Sequence, residues 1–187
     1  MSDLLSRRKH PIHLPNMLRH NEPVIVFLTV CSANRSPILA NAQMHGLFVD
    51  AWLMSRQWSV GRYIIMPDHV HLFCSPASIE SINVKTWAAY WKSLMSRGLR
   101  GYGPLATVDG VEAVPPLLTQ NVLKESMSSP TNHKSAIWQR DVWDTQVRSS
   151  DGYHEKWEYV RMNPVRKGLI KNPDEWPFQG ELSNLSW

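Results

Sequence analysis

The stretch that decides the fold is MPDHVHLF, residues 66–73, in which two histidines flank a single apolar residue. Its proline and aspartate predict a tight turn, and the residues after them predict a β-strand. Because side chains alternate between the two faces of a strand, His69 and His71 are expected on one face, a few ångströms apart. Val70 and Leu72 then pack beneath them.

Two imidazoles held on a stiff sheet can bind a divalent metal without first ordering a loop. A pair of this kind also arises among surface or packing histidines. The metal hypothesis therefore depends on whether the chain offers a third ligand and a nucleophile.

Candidates for both lie about ninety residues downstream, in a segment with helical periodicity. The run Asp151–Met162 predicts a helix, with Asp151 as its N-cap. Three residues at i, i+4 and i+7 form the stripe expected to face the core: Tyr153, Trp157 and Val160.

Tyr159 lies off this stripe, and Asn163, four residues later, is expected on the same side of the helix. Pro164 disfavours helical backbone at Asn163 and is expected to end the element there. A phenol and a carboxamide would thus share one face at a helix end. Tyr159 is also compatible with a packing role at the edge of the core.

Together these stretches resemble the single-tyrosine HUH transposases, and most closely the REP-associated tyrosine transposases. The resemblance rests on MPDHVH at 66–71 and on YVRMNPVRKGL at 159–169, and it extends to IWQRDVWD at 137–144 and DEWPF at 174–178. It covers most of the chain, from Val24 to Phe178, with a gap in the middle.

The resemblance implies a metal-dependent, single-strand-specific DNA endonuclease and strand transferase that acts on DNA hairpins. Tyr159 would attack the DNA backbone and leave a covalent 5′-phosphotyrosine and a free 3′-hydroxyl. His69, His71 and Asn163 would hold Mg²⁺ or Mn²⁺ in an open site. Asn163 replaces the glutamine of many mobile-element relatives, as in the domesticated branch.

Basic residues are expected to contact DNA phosphates, although each is also compatible with a merely solvated position. An irregular basic arm spans residues 1–22 and is equally compatible with a disordered terminus. Lys167 stands where the family usually has a small residue, so no role is assigned to it. The predicted DNA-binding residues are Arg7, Arg8, Lys9, Arg148, Arg161 and Arg166.

The element order predicts an α+β fold of the ferredoxin-like split βαβ type. We expect an antiparallel sheet with helices on one face and an extra C-terminal helix that carries the tyrosine. A single domain over residues 1–187 is expected, with a long excursion at 101–136 that is rich in Gly, Pro, Ser and Asn. The predicted strands are 24–30, 59–66, 69–74 and 144–148, and the predicted helices are 41–56, 81–99 and 151–162.

Composition is compatible with this reading and does not require it. The net charge of +4 and a pI of about 9.2 suit a polyanionic partner. No apolar stretch approaches a membrane span, and Cys31 and Cys74 are expected to be buried, free thiols. We expect a cytoplasmic, nucleoid-associated protein, and whether it is a monomer or a homodimer is left open.

Two alternatives to a tyrosine transposase remain. One is a DNA-hairpin-binding protein that keeps the fold but performs little or no chemistry. The other is a metal-dependent phosphoesterase that uses water and has no need of the tyrosine. The intact set of two histidines, tyrosine and asparagine favours the transposase chemistry.

Overall fold

The structure is a computed structural model that describes residues 24–100 and 136–185. Five strands and four helices follow one another within these ranges. In chain order they are β1 (Ile25–Cys31), α1 (Ala42–Met54), β2 (Trp58–Met66), β3 (His69–Pro76), α2 (Val84–Gly98), β4 (Trp143–Val147), α3 (Ser150–Arg161), α4 (Asn163–Arg166) and β5 (Gln179–Glu181).

The strands form one sheet in the order β4-β1-β3-β2-β5, and every neighbouring pair is antiparallel. The first four strands and the first two helices follow the β-α-β-β-α-β plan, which confirms the predicted α+β, ferredoxin-like fold. Strand β5 was not predicted, because three residues are too few to show an alternating pattern.

The helices α1 and α2 cover one face of the sheet and bury the main apolar core. Large aromatic side chains from both helices and from β2 interlock there, and they include the fully buried Phe48, Trp58, Trp87 and Trp91. The sheet contributes alternate residues, among them Leu28 and Leu72, so this face is apolar along its whole width.

The opposite face carries the two histidines, and we call it the histidine face: Ile25, Phe27, Thr29 and Cys31 of β1, with His69, His71 and Phe73 of β3. Helix α3 packs on this face, not beside α1 and α2. Its Tyr153 ring lies 4.4 Å, centroid to centroid, from that of Phe73. Tyr153 and Val160 are buried and Trp157 is half-buried, which confirms the predicted stripe.

Side-chain caps define where the three long helices begin. Asn41 accepts a hydrogen bond from the Met44 amide, and Asn83 accepts one from Thr86. The predicted cap of α3 was wrong: Ser149 accepts from the Gly152 amide, and Asp151 lies in the first turn instead. A hydroxyl two residues earlier reaches the free amides, and the Asp151 carboxylate there favours the helix dipole.

The helix that carries Tyr159 also ends differently from the prediction. Helix α3 stops at Arg161, and Asn163 begins the separate short helix α4, with Pro164 in its first turn. Proline lacks an amide hydrogen, so it breaks the hydrogen-bond ladder but is well suited to start a new helical turn.

A buried lysine fixes the segment that leads into β4. Lys92 of α2 is only 8% exposed, and its ammonium donates hydrogen bonds to the carbonyl oxygens of Gln139, at 2.8 Å, and Arg140, at 3.2 Å. Burial lowers the pKa of this lysine, while nearby Asp141 opposes the shift. These bonds anchor the chain four residues before Trp143.

The remaining expectations for the chain have mixed outcomes. Cys31 and Cys74 are buried and free, as predicted. Within the described ranges, no helix combines the length and the apolar character that crossing a membrane requires. The basic arm at 1–22, and the excursion at 101–136 apart from its last residue, lie outside the described residues, so the single-domain organisation stays a prediction.

Two glycine substitutions should change stability in opposite directions. Gly168 follows α4 at φ +67°, so Gly168→Ala should lower the free energy of unfolding by about 1 kcal/mol through backbone strain alone. Gly46 lies inside α1, and Gly46→Ala should raise it by about 0.5–1 kcal/mol. Both added methyl groups meet open space, and urea unfolding of each variant would measure the effect. Equal shifts of the same sign would contradict this account.

Candidate active site

The two histidines lie side by side at the start of β3. Their ring centroids are 4.7 Å apart and their planes are nearly perpendicular, at 81°. The antiparallel pairing sets His71 opposite Thr29 and His69 opposite Cys31. The structure therefore confirms that the two side chains share one face of the sheet.

Each imidazole is held through its Nδ1 atom. His69 Nδ1 lies 2.7 Å from Asp68 Oδ1, and His71 Nδ1 lies 2.8 Å from Thr29 Oγ1. The His71 ring also stacks on Phe27, with centroids 5.3 Å apart. Since Nδ1 is engaged in both rings, Nε2 is the atom each presents to a ligand. A histidine that binds a metal is commonly oriented by such a partner on its other nitrogen.

Burial keeps both histidines neutral. Loss of solvent lowers the pKa of His71 to about 3, and the neighbouring charges of His69, Arg35 and Arg166 act in the same direction. Burial also lowers the pKa of His69, although its Asp68 partner opposes the shift. Neutral imidazole is the form that binds a metal, so the pair needs to release no proton at pH 7.

Asp68 and Arg35 form an ion pair beside the histidines. Burial raises the pKa of the Asp68 carboxyl, but the hydrogen bond from His69 and the charges of His69 and Arg35 outweigh it, so the pKa is lowered. The Arg35 guanidinium lies 3.4 Å from Asp68 Oδ2 and donates to Cys31 Sγ at 3.0 Å. The pair keeps the carboxylate charged and aimed at His69.

The segment that carries Arg35 has an unusual backbone. Asn34 and Arg35 have φ values of 53° and 56°, in the left-handed region that residues other than glycine rarely adopt. Such strain is found most often where a functional side chain must be held in place. Sequence reasoning missed Arg35, because the only signal was an asparagine that tolerates this conformation.

Tyr159 and Asn163 are brought together by Arg166. Tyr159 is 67% exposed, and the Arg166 guanidinium lies over its ring, 4.2 Å from the centroid. The same guanidinium donates to the Tyr159 main-chain oxygen, at 2.5 Å, and to Asn163 Oδ1. The charge of Arg166 lowers the pKa of His71, and that of Lys167 lowers the pKa of His69, so both cations lie within electrostatic reach of the histidine pair.

The other predicted DNA-binding residues lie elsewhere. Arg161 pairs with Glu158, at 3.2 Å, and with Asp174, at 2.8 Å. Arg148 is exposed after β4, whose last residue pairs with Ile25 at the far end of β1 from the histidines. A DNA-binding role for either residue stays a prediction. Arg7, Arg8 and Lys9 lie outside the described residues.

The side-chain atoms that could serve as metal ligands suit a divalent metal only in part. Within residues 24–100 and 136–185, no three His, Cys, Asp or Glu side chains are grouped so that they could hold a metal ion. The third protein ligand would have to be the Asn163 amide oxygen, which already accepts a hydrogen bond from Arg166. A carbonyl oxygen has a second lone pair, so this bond leaves one acceptor position on Asn163.

Comparison with known proteins points to one group. No protein-family profile matches the chain. A REP-associated tyrosine transposase of Escherichia coli (strain K12) is 36% identical over 42 residues, which are 22% of this chain and 26% of that protein. A Haemophilus influenzae protein described in the same terms is 23% identical over 115 residues, 61% of this chain and 53% of its own length. The matches thus span about a quarter and about half of these relatives.

A solved structure shares the fold. It shows a REP-associated tyrosine transposase bound to a REP hairpin, and it superposes with a TM-score of 0.57 at 17% identity. The superposition covers 89% of this chain and 82% of that one. Together with the sequence matches, it confirms the resemblance to REP-associated tyrosine transposases that the motifs predicted.

The neutral histidines make stability depend on pH. An unfolded His71 takes up a proton near pH 6.5, whereas the folded one resists until about pH 3. The unfolded state therefore binds more protons between these values. The contribution of His71 to the free energy of unfolding is fully present above pH 6.5. As the pH drops below that value, this contribution should fall by up to about 1.4 kcal/mol per pH unit. Urea unfolding from pH 7 to pH 4 in the presence of a chelator would measure the loss.

A variant separates the contribution of His71 from that of the other titrating groups. His71→Asn keeps a polar partner for Thr29 but does not titrate, so its stability should decline less steeply over the same pH range. Parallel curves for the wild type and the variant would show that His71 is not a source of the pH dependence.

Proposed function

We propose that the protein is a DNA-processing enzyme of the REP-associated tyrosine transposase type. It cleaves and rejoins single-stranded DNA at hairpins through a covalent 5′-phosphotyrosine and depends on Mg²⁺ or Mn²⁺. The observation that supports this most directly is the Arg166 contact set: one guanidinium contacts the exposed Tyr159 ring and Asn163, and its charge acts on the neutral His71.

In this proposal the histidine pair and Asn163 hold the metal. His69 and His71 contribute Nε2, and Asn163 contributes Oδ1. Bound there, a divalent ion would polarise a non-bridging oxygen of the scissile phosphate. Asp68 and Thr29 keep the two rings in the orientation that this requires.

Tyr159 is the nucleophile. Its phenol oxygen loses its proton and forms a bond to phosphorus, and the bond from phosphorus to the 3′-oxygen of the preceding nucleotide breaks. The departing 3′-oxygen takes up a proton and becomes the free hydroxyl. The phosphodiester energy is retained in the tyrosine ester, so the reverse attack by a 3′-hydroxyl rejoins DNA without ATP.

Three cationic side chains whose charges act on the histidine pair are suited to the DNA backbone. Arg166 and Lys167 approach from α4 and the turn after it, and Arg35 approaches from the strained segment after β1. Guanidinium groups bind phosphate through paired hydrogen bonds, which neutralises charge and fixes orientation.

A second candidate function is supported by one contact. Because Arg166 donates to the Asn163 oxygen, it places a cation against the third proposed ligand. If that arrangement persists, the protein would bind DNA hairpins without holding a metal or cutting DNA.

Replacing the nucleophile tests the proposed function. The full-length protein is incubated with labelled single-stranded hairpins from repeats that flank its own gene, with Mg²⁺ or Mn²⁺, and run on a denaturing gel. The wild type should form a protein–DNA adduct that a chelator prevents. Tyr159→Phe should abolish both adduct and cleavage and bind the hairpin with unchanged affinity, because it removes only the phenolic oxygen.

The control and the contrary outcomes follow from the geometry. Tyr90→Phe, on α2 and away from the histidine face, should behave as the wild type. Cleavage that survives in Tyr159→Phe would indicate a phosphoesterase that uses water. Hairpin binding without adduct or cleavage, in both metals, would indicate the binding protein.

Arg166 and Arg161 provide a matched pair of substitutions. Arg166→Ala removes the cation beside Tyr159 and Asn163 and should slow cleavage by about 100-fold. Arg161→Ala removes a cation that already pairs with Glu158 and Asp174, so it should leave the single-turnover rate unchanged. Mn²⁺ binding, followed by calorimetry, should be as tight or tighter in Arg166→Ala. Equal loss in both variants would mean that general positive charge, and not position, is what matters.

A further inference from the structure

An exposed tryptophan lies on the histidine face next to the proposed active site. Trp143, the first residue of β4, is 50% exposed, and among the tryptophans that the structure describes it alone is classed as exposed. Trp143 pairs with Thr29 of β1, and Thr29 pairs with His71 of β3. Directly opposed residues in an antiparallel sheet point to the same side, so these three form one row across the histidine face.

The alternation along β4 supports this orientation. Val147, four residues after Trp143, is buried with Ile25 and Tyr153 on the histidine face. Val142, one residue before, is buried in the core on the other side of the sheet. Trp143 therefore points to the histidine face, about two strand spacings, or about 10 Å, from His71.

Helix α3 packs on the neighbouring row of the sheet, which holds Phe27 and Phe73. Its Tyr153 and Trp157 rings pack on Phe73, and the Lys156 ammonium lies 5.5 Å from the centre of the Phe27 ring. These contacts cover the next row of the sheet. Trp143 thus lies one row from these contacts, half of its surface is exposed, and Lys156 lies over the neighbouring row.

The strand end that carries Trp143 is anchored. Val142 is 1% exposed, and the carbonyls of Gln139 and Arg140 are bound by Lys92, so the backbone on its N-terminal side is anchored. A large aromatic side chain has only two rotatable bonds, so on an anchored backbone it loses little entropy when a flat ligand stacks on it.

We propose that Trp143 stacks on an unpaired base of the single-stranded DNA, within about three nucleotides of the phosphate at the histidine pair, taking 3.4 Å per nucleotide as the shortest step. This inference rests on the proposed function and adds to it a contact with the bases. Aromatic side chains on four-stranded sheets of this plan bind unpaired bases of RNA in the same manner. Stacking of this kind is tolerant of sequence, because every base has a flat face.

The test uses the full-length protein and two labelled DNA hairpins in the presence of a chelator. One hairpin carries a single-stranded tail of thymidines, and the other carries a tail of equal length made of abasic residues, which keeps the phosphates and removes the bases. Fluorescence anisotropy gives the affinity. Trp143→Ala should bind the thymidine tail about tenfold more weakly and bind the abasic tail as the wild type does.

Further variants separate stacking from other effects. Trp143→Phe keeps an aromatic face and should recover most of the lost affinity. Leu53→Ala, at a 59% exposed position on α1, should bind both tails as the wild type does. A single thymidine moved along the abasic tail should restore wild-type affinity at one or two positions, and Trp143→Ala should abolish that gain.

Three results would overturn the inference. The first is that Trp143→Ala binds the thymidine tail as tightly as the wild type does, and the second is that it loses the same affinity for both tails. The third is that Trp143→Ala self-associates more weakly but binds DNA with unchanged affinity, which would mean that the tryptophan contacts a second copy of the chain. If the Tyr159 adduct forms while Trp143→Ala has no effect, only this inference fails. If no adduct forms but Trp143→Ala weakens binding of the thymidine tail alone, the stacking inference is supported and the protein binds DNA without cutting it.

Discussion

The register between β1 and β3 is the constraint on which the site depends. With Thr29 opposite His71 and Cys31 opposite His69, both imidazoles emerge on the face that α1 and α2 leave free. A slip of one residue would turn the histidines into the aromatic core and expose Val70 and Leu72. Burial of Val70 and Leu72 in the core therefore holds the register, and the register in turn fixes the positions of the two histidines.

The same burial determines the chemistry of the histidines. Both rings are largely shielded from water, and loss of water disfavours the imidazolium form. Phe27 beneath His71 contributes to this, and the Asp68 carboxylate only partly offsets it at His69. Two neutral nitrogens facing outward are thus a consequence of packing.

Sequence reasoning recovered the parts of the protein that have a local periodicity. The alternation around the histidines gave β3, and the i, i+4, i+7 stripe placed α3 on its correct face. It failed where a contact joins residues distant in sequence. The Asp68–Arg35 pair spans 33 positions and depends on two strained backbone angles, and the Lys92 bonds to Gln139 and Arg140 span more than 45. The N-cap of α3 was predicted two residues too late and its end one residue too late. Ser149 and Pro164 set these ends through local backbone contacts, which the periodicity of the side chains does not show.

The charges around the histidines indicate which substrate suits the site. Among residues 24–100 and 136–185, Arg35, Arg166 and Lys167 act on the pair and Asp68 is the one carboxylate that acts on either ring, so the described surroundings carry more positive than negative charge while the rings themselves are neutral. Like charges that act on one position repel one another, and an anion bound among them relieves that repulsion. Within the proposed function, a DNA phosphate supplies that anion. The phosphate would also compete with Asn163 for Arg166. Binding of the substrate and the availability of Asn163 as a metal ligand are therefore coupled through this one side chain. Within that proposal an anionic substrate gains from these charges, whereas a neutral one does not.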